Sequence, residues 1–158
     1  MVSLKYAVVE RERRFLVAAV PDGVSEVWQI EDRYVDGSRL RLREVRMPDG
    51  SVVRKLGHKV RLEDGPAAVA CTSLYLDDAE WALLWDQLPG QGLRKRRHHV
   101  HRDDLHLVVD ELEDGTLLAE IDDGDAAPRE VPDWLEVVAE VSADERWTGG
   151  ALARRGAR

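Results

Sequence analysis

The chain has 158 residues, of which 44% are hydrophobic and 34% charged, and its formal net charge is −8 at pH 7. This length predicts one domain, spanning 1–158, with a sizeable core. The acidic balance argues against non-specific binding to nucleic acid or to an anionic membrane. Cys71 is the only cysteine, which excludes an internal disulfide and a cysteine-based zinc site. The sequence has no membrane-length apolar run and no signal-peptide core, so we expect a cytoplasmic protein.

The first predicted element is a strand over residues 8–17, where five consecutive charged residues lie between apolar flanks. Alternation along a strand places Glu10, Glu12 and Arg14 on one face and the two intervening arginines on the other. Two carboxylates and a cation can together hold a divalent metal and one of its anionic ligands. The competing interpretation is an exposed edge strand whose charges prevent aggregation.

The following segments predict antiparallel strands joined by tight turns. Residues 24–36 mix apolar and charged side chains, which predicts a short helix leading into a strand around 30–35. The Asp-Gly pairs at 36–37, 49–50 and 114–115 are typical of hairpin turns.

The segment 38–45 alternates strictly between arginine and apolar residues. Arg41 and Arg43 share one face with Arg39, which we expect in solvent because it lies at the strand start. The phase slips at Val45, which predicts that the strand ends or bulges there.

Alternation or apolar content predicts further strands, and a Gly-Pro-containing loop is expected at 63–66. These strands cover 51–62, 67–76, 93–101, 105–112 and 116–122.

Helical signals are fewer. Asp77 and Glu80 have the spacing of a capping box, and the apolar stripe that follows predicts a helix packed on the core rather than a base-stacking platform. That stripe consists of Trp81, Leu84, Trp85 and Leu88. A short helix is predicted at 132–138, a capped segment at 142–153 and a frayed basic tail at 154–158.

About eight strands joined by tight turns predict an α+β, mainly β fold: an eight-stranded antiparallel, tunnel-like barrel or a strongly curved sheet, with a few flanking helices. Several strands pair an apolar face with a charged face of mixed sign. In a barrel covered from outside, the charged face would line the interior, where pairing, water or a charged ligand must compensate it. The cationic wall would contain Arg39, Arg41, Arg43, Lys95 and Arg97, and the acidic patch Glu10, Glu12, Glu120 and Asp122.

Several motifs together resemble the CYTH family, the triphosphate tunnel metalloenzymes. The stretch Glu10-Arg11-Glu12-Arg13-Arg14, followed by Phe-Leu-Val, is similar to the ExExK signature that opens this family. The resemblance continues in order along nearly the whole chain. It includes Leu40-Arg41-Leu42-Arg43, Arg54-Lys55-Leu56-Gly57, Leu93-Arg94-Lys95-Arg96-Arg97, Val109-Asp110-Glu111-Leu112, Leu118-Ala119-Glu120-Ile121-Asp122 and the closing residues 140–153.

The resemblance implies metal-dependent hydrolysis of a triphosphate bound in a basic tunnel, with Mg²⁺ or Mn²⁺ as cofactor. The implied catalytic residues are Glu10, Glu12 and Arg14. The implied phosphate-binding residues are Arg41, Arg43, Lys55, Lys95 and Arg97. The implied metal ligands are Glu10, Glu12, Asp110, Glu120 and Asp122.

The sequence departs from the family pattern at four positions. Arg14 replaces lysine, Asp122 replaces glutamate, and Cys71 and Ser73 occupy positions that are acidic in many relatives. The sequence is therefore compatible with three kinds of substrate: inorganic tripolyphosphate or polyphosphate, ATP in a cyclase-like reaction, and thiamine triphosphate. A phosphate-polymer or nucleotide sensor without turnover is the alternative to an enzyme, and a homodimer is left open.

The histidines of the strand at 93–101 and the single cysteine do not predict a metal site or a nucleophile. His98 and His99 are neighbours in a strand and so face opposite sides, which argues against a metal role for them or for His101. Cys71 has no adjacent pattern of a nucleophile and is expected to be a packed thiol.

Overall fold

A computed structural model of the chain describes residues 1–63 and 65–156. Within these ranges it contains nine strands, two α-helices and one short 3₁₀ helix. In chain order the strands and α1 are β1 (Val8–Val17), β2 (Val24–Val35), β3 (Leu40–Arg46), β4 (Val52–Arg61), β5 (Ala68–Tyr75), α1 (Asp78–Gln87), β6 (Gly90–Arg102), β7 (Leu105–Leu112), β8 (Leu117–Asp122) and β9 (Val137–Glu140). The 3₁₀ helix Glu145–Trp147 and α2 (Gly149–Gly156) follow.

Eight of the strands close into an antiparallel barrel. The pairing order is β5-β4-β3-β2-β6-β7-β8-β1, and β1 returns to β5 through pairs such as Glu10↔Val69. The ninth strand adds to the second half of β1, for example at Phe15↔Glu140. The predicted mainly β barrel with flanking helices is confirmed.

The three predicted Asp-Gly turns connect neighbouring strands as expected. Gly37, Gly50 and Gly115 have φ values of 64°, 87° and 85° and lie between β2 and β3, β3 and β4, and β7 and β8. Glycine adopts this left-handed backbone without the steric penalty of a Cβ atom. Asp64, in the predicted 63–66 loop, lies outside the described residues.

Three predicted details of secondary structure are wrong. Residues 24–30 form the first half of β2 and not a helix, because their backbone pairs with β6 from Val24 onward. The segment 132–138 contains a turn and the start of β9, whose backbone pairs with β1. β3 neither ends nor bulges at Val45, since its register with β2 runs without a shift to Arg46.

The main hydrophobic core lies on the outer face of the barrel. Phe15, Val109 and Ile121 lie on the strand faces that turn away from the inner charges, and they pack with Leu135 from the connection before β9. They are 0–4% exposed. A covering segment on the outside explains how apolar side chains can point outward from this sheet.

A smaller apolar cluster continues the inner face at one end of the barrel. Leu112 and Leu118 point to the inside and pack with Leu152 of α2. Residues 154–156, predicted as part of a frayed tail, are the last turn of α2, while residues 157–158 lie outside the described ranges. The last helix therefore completes the barrel end.

The predicted capping box of α1 is present. The Asp77 carboxylate accepts a hydrogen bond from the Glu80 backbone N–H (2.8 Å), and the Glu80 carboxylate accepts one from the Asp77 N–H (2.9 Å). The prediction that this helix packs on the core is wrong, because no residue of α1 is buried and its tryptophans are half-buried. Trp81 stacks on Trp85 instead, and Arg33 lies 3.5 Å from the Trp85 ring centroid. Neither described helix is long and apolar enough to span a bilayer.

Candidate functional site

Strand alternation gathers most of the predicted site residues around one cavity of about 1030 Å³ inside the barrel. The lining contains all three predicted catalytic residues and all five predicted phosphate-binding residues. These residues are Glu10, Glu12, Arg14, Arg41, Arg43, Lys55, Lys95 and Arg97, and Glu120 joins them from β8. Asp110 and Asp122, the two other predicted metal ligands, do not line the cavity.

One side of the cavity wall is built on a buried cross-strand ion pair. Asp32 of β2 lies directly opposite Arg43 of β3. Its carboxylate accepts hydrogen bonds from Arg43 Nε at 2.6 Å and Nη2 at 2.7 Å, and it is fully buried. Burial alone would raise the pKa of Asp32, but Arg43 outweighs burial and holds that pKa well below its usual range. Asp32 therefore fixes Arg43 in place as a charged pair.

Asp110 forms a second buried pair of the same kind on β7. It lies directly opposite Arg97 of β6 and accepts hydrogen bonds from Arg97 Nε and Nη2 at 2.7 and 2.8 Å. Lys95 Nζ donates to the same carboxylate at 2.6 Å. The Asp110 side chain is 1% exposed, and both oxygens are already engaged. Asp110 is therefore buried behind the cavity wall. Its role as a metal ligand stays a prediction.

The carboxylates of β1 and β8 face the cavity and are also paired. Glu10 accepts a hydrogen bond from Lys59 Nζ at 2.7 Å, and Glu12 accepts one from Arg14 Nη2 at 2.9 Å. Glu120 lies 3.4 Å from Arg14 Nε and 3.1 Å from Arg97 Nη2. Burial opposes ionisation of Glu10, but the Lys59 ammonium outweighs it and lowers the Glu10 pKa. All three carboxylates thus share one region with basic partners.

Among the described residues, two partly buried cations of the cavity, Arg41 and Lys55, are left without such partners, as are the exposed Arg39 and Arg154. Arg41 is 12% exposed, its Nε has no hydrogen-bond partner, and its nearest carboxylate oxygen, on Asp32, is 3.9 Å away. Lys55 lies opposite Arg43 across the β3–β4 ladder, and no ion pair within 4.0 Å involves Lys55 in the described ranges. Burial, followed by the charges of Arg43 and Arg41, lowers the Lys55 pKa. An anion between these two side chains would relieve their repulsion.

The carboxylates that share the cavity suit a divalent cation in chemical type. Carboxylate oxygens are the donors that Mg²⁺ and Mn²⁺ prefer, and Glu10, Glu12 and Glu120 supply them. In the described ranges no three Asp, Glu, His or Cys side chains converge as a ready ligand set. A cation would compete with Lys59 and Arg14 for Glu10 and Glu12, whose Oε2 atoms these cations contact. Asp122 is exposed at the end of β8 and accepts from backbone N–H groups of Arg11 and Gly124.

Some cavity residues were not singled out by the sequence. Lys59 lies four positions after Lys55 and hence on the same strand face, so the alternation could have identified it. Asp32 carries no such signal, because its partner is set by the pairing of β2 with β3. Cys71 and Ser73, which the sequence did single out as positions that are acidic in many relatives, line the cavity with Sγ and Oγ 3.9 Å apart. Other lining residues include Tyr34, Arg39, His58, Arg61, Gly149 and Arg154.

His58 lines the cavity, whereas the histidines of β6 and β7 do not. His98 faces outward and contacts Glu111 at 2.9 Å. His99 and His101 share the inner face; His99 Nδ1 lies 3.1 Å from His106 Nε2, and His101 stacks on His106 at 4.3 Å between ring centroids. This histidine cluster, His99, His101 and His106, forms a separate feature near one end of β6 and β7.

Comparison with known proteins identifies the fold. No family model matches the chain, and no curated protein matches it. The inorganic triphosphatase NE1496 is a solved structure that shares 22% sequence identity over 97% of this chain and 95% of its own, with a TM-score of 0.55. A second structure of NE1496 gives a TM-score of 0.58 at 22% identity, over 91% of this chain and 97% of its own. A conserved hypothetical protein from Pyrococcus furiosus is 16% identical over 78% of this chain and 81% of its own, with a TM-score of 0.55.

Proposed function

We propose that the cavity binds a triphosphate-containing anion and, with Mg²⁺ or Mn²⁺ held by Glu10, Glu12 and Glu120, hydrolyses one of its phosphoanhydride bonds. The observation that carries this proposal is the pair Lys55 and Arg41, two cations at the cavity with no carboxylate at hydrogen-bonding distance. Phosphate oxygens would provide the missing acceptors in charge-assisted hydrogen bonds. The triphosphatase NE1496, which has a similar fold, supports the choice of anion.

The charge of the cavity supports a highly charged ligand. Among the described residues, ten arginines and lysines line it against four carboxylates, although the whole chain is acidic. A concentration of one sign of charge inside low-dielectric walls attracts ligands of the opposite sign. The basic residues are Arg14, Arg39, Arg41, Arg43, Lys55, Lys59, Arg61, Lys95, Arg97 and Arg154, and the acidic ones Glu10, Glu12, Asp36 and Glu120.

In this proposal each group of residues has a separate task. Hydrolysis breaks the bond between the terminal phosphorus and its bridging oxygen, and water supplies the new oxygen. Lys55 and Arg41 neutralise the phosphate oxygens, where charge must be stabilised. Arg43 and Arg97 are already held by buried carboxylates, so they can stabilise the leaving diphosphate without rearranging first. A divalent cation, when bound, would polarise phosphate oxygens and lower the pKa of a bound water.

The identity of the triphosphate is the finer part of the proposal. We favour inorganic tripolyphosphate or a longer polyphosphate, because the basic lining continues to Arg39, Arg61 and Arg154. An organic triphosphate would bring a base or ring, yet Tyr34 is the only aromatic side chain besides His58 among the lining residues described. ATP, with or without cyclisation, and thiamine triphosphate are therefore the competing substrates.

A sensor without turnover is a second candidate, and the internal ion pairs favour it. Glu10 and Glu12 are each engaged by a cation of the chain itself, Lys59 and Arg14. If those pairs keep a divalent cation out when the anion binds, the anion is held without being hydrolysed. Mg²⁺-dependent phosphate release distinguishes the two candidates.

The test is phosphate release from tripolyphosphate, ATP and thiamine triphosphate, with Mg²⁺, with Mn²⁺ and in a chelator. We expect release from tripolyphosphate that requires the metal and that falls by several orders of magnitude in Glu12→Gln. The matched control is Glu111→Gln, which removes an outer-face carboxylate paired with Arg96 and His98. Tripolyphosphate binding without release under any metal would favour the sensor, and release that survives Glu12→Gln would contradict the assigned role.

A further inference from the structure

The two buried carboxylates Asp32 and Asp110 have related positions in the barrel. Each lies directly opposite an arginine on the neighbouring strand, Asp32 opposite Arg43 and Asp110 opposite Arg97. The two strands that join these pairs, β2 and β6, are themselves neighbours. The four charged residues therefore lie on the inner faces of four neighbouring strands, although on the β2–β6 ladder Asp32 lies opposite Leu93 and Arg97 opposite Trp28.

Both carboxylates are fully used and inaccessible. Asp32 is 0% exposed and Asp110 is 1% exposed, and each accepts two hydrogen bonds from one guanidinium. A guanidinium has five N–H donors in a fixed plane. The pairing consumes the Nε edge of Arg43 and of Arg97 and leaves their Nη1 groups free. Each arginine thus has one edge fixed to a buried carboxylate while its side chain still lines the cavity.

The pairing also determines which cations lack a counter-charge. Arg43 lies opposite Lys55 across the β3–β4 ladder, so two positive charges are neighbours. Asp32 forms an ion pair with Arg43 but not with Lys55. Lys95 and Arg97 share Asp110. Among the partly buried cations described in the cavity, Lys55 and Arg41 are therefore the two without a carboxylate at hydrogen-bonding distance, while the unpaired Arg39 and Arg154 are exposed.

We propose that Asp32 and Asp110 are positioning residues, which orient Arg43 and Arg97 toward a bound polyphosphate and leave Lys55 and Arg41 as the partly buried cations that the polyphosphate neutralises. This inference rests on the proposed function for the identity of the anion, but not on turnover. It gives Asp110 a role through Arg97 and Lys95 instead of through a metal.

The role has two measurable consequences. Without its carboxylate, Arg43 or Arg97 keeps its charge and takes its partner from the ligand, so the anion stabilises the variant more than it stabilises the wild type. The same arginine is no longer held in orientation, so kcat falls about tenfold to a hundredfold while KM does not rise. A residue needed only for folding would lower stability without either change.

The experiment compares Asp32→Asn, Asp110→Asn and a matched control, Asp123→Asn. Asp123 also receives a two-point contact from one arginine, Arg13 Nε and Nη2 at 2.7 and 3.0 Å, but on the outer face. Thermal melts are recorded with increasing tripolyphosphate in metal-free buffer, with a parallel series in sulfate. Steady-state hydrolysis of tripolyphosphate is measured with Mg²⁺.

We expect the Asp32 and Asp110 variants to have lower melting temperatures than the wild type without ligand. Tripolyphosphate should raise their melting temperatures by more than it raises that of the wild type, while Asp123→Asn should show the wild-type increase. Equal increases in melting temperature for all four proteins, with tripolyphosphate and with sulfate, would overturn the inference. A wild type that binds tripolyphosphate without hydrolysing it would refute the proposed turnover only, because the melts still decide the positioning role.

If Asp32→Asn does not fold, the double variant Asp32→Asn/Arg43→Gln removes both charges and should fold, because no uncompensated ion is buried. We expect its anion-dependent gain to fall below that of the wild type, since Arg43 no longer contributes. A wild-type gain in the double variant would show that Arg43 has no part in anion binding and would overturn its positioning by Asp32.

Discussion

Neighbouring residues of one strand point to opposite faces of the barrel wall, and the two faces have different compositions. On β1, Phe15 points outward into a cluster with Val109 and Leu135 and is 2% exposed. Its neighbour Arg14 points inward and lies between Glu12 and Glu120. The same backbone therefore supports an apolar core on one side and a charged cavity on the other.

The energies of these two faces are unequal. Burying a large apolar side chain contributes about 1.5–3 kcal/mol relative to exposure, and the outer cluster holds several of them. A buried ion pair such as Asp32–Arg43 roughly breaks even against an apolar pair. The comparison indicates that the outer core supplies more net stability than the inner ion pairs, which agrees with the proposed role of the inner charges in binding a ligand.

Truncation of the outer core should have the largest effect on stability. We expect Phe15→Ala to lower the free energy of unfolding by about 3–5 kcal/mol through lost burial and a cavity. Urea unfolding measures the loss. Stabilisation of the folded variant by tripolyphosphate should equal that of the wild type, and a changed increment would show that the two faces are not independent.

Removal of an inner cation should have the opposite pattern. Lys55→Met should leave stability unchanged or slightly raised, because it relieves repulsion from Arg43 and Arg41. Affinity for tripolyphosphate should fall about tenfold to a hundredfold, since a charged hydrogen bond contributes about 1.5–3 kcal/mol. Calorimetric titration measures it, with the exposed Lys5→Met as control. A marked loss of stability in Lys55→Met would make Lys55 structural.

The affinity of the inner face for tripolyphosphate should also fall at alkaline pH. The pKa of Lys55 lies below its ordinary 10.5, so the ammonium is lost as pH rises through a range below that value. Tripolyphosphate affinity should fall there, while the unbound protein gains stability up to about pH 10.5 as the repulsion disappears. Lys55→Arg should move the fall in affinity to higher pH, because guanidinium keeps its proton. An unchanged profile would contradict this assignment.

The smallest expected effect comes from the histidine cluster. Burial, followed by nearby positive groups that include Arg97, lowers the pKa of His99 and His106 from 6.5. The unfolded chain therefore binds protons more readily, and stability should decline as pH falls through 6.5 and continue to decline below it. Thermal melts between pH 5 and 8, within the range around these pKa values, should show a shallower decline in His106→Gln than in the wild type or in His58→Gln.

Strand alternation allowed much of the site to be predicted from the sequence. Arg41, Arg43 and Arg97 line the cavity as expected, because side-chain period two fixes which face a residue occupies. The period does not state how deep a side chain lies or what stands opposite it. The family resemblance, not alternation, implies Asp110 as a metal ligand, and the residue lies buried behind the cavity wall. No sequence pattern singles out Asp32.

The errors in secondary structure have a similar origin. Residues 24–30 contain enough charge to resemble a helix, yet β2 has a hydrogen-bonding neighbour on each side, β3 and β6. Pro132 and Asp133 are typical of a helix start, but the chain after them pairs with β1 instead. In both cases long-range pairing outweighs local preference.

A crystal structure of the protein grown with tripolyphosphate tests the claim that the inner face of the barrel is a polyphosphate site. We expect phosphate oxygens inside the cavity, within hydrogen-bonding distance of Lys55 Nζ and Arg41 Nε. Tripolyphosphate bound only on the outer surface, for example at the exposed arginines Arg46 and Arg94, with Lys55 and Arg41 unliganded, would contradict the claim.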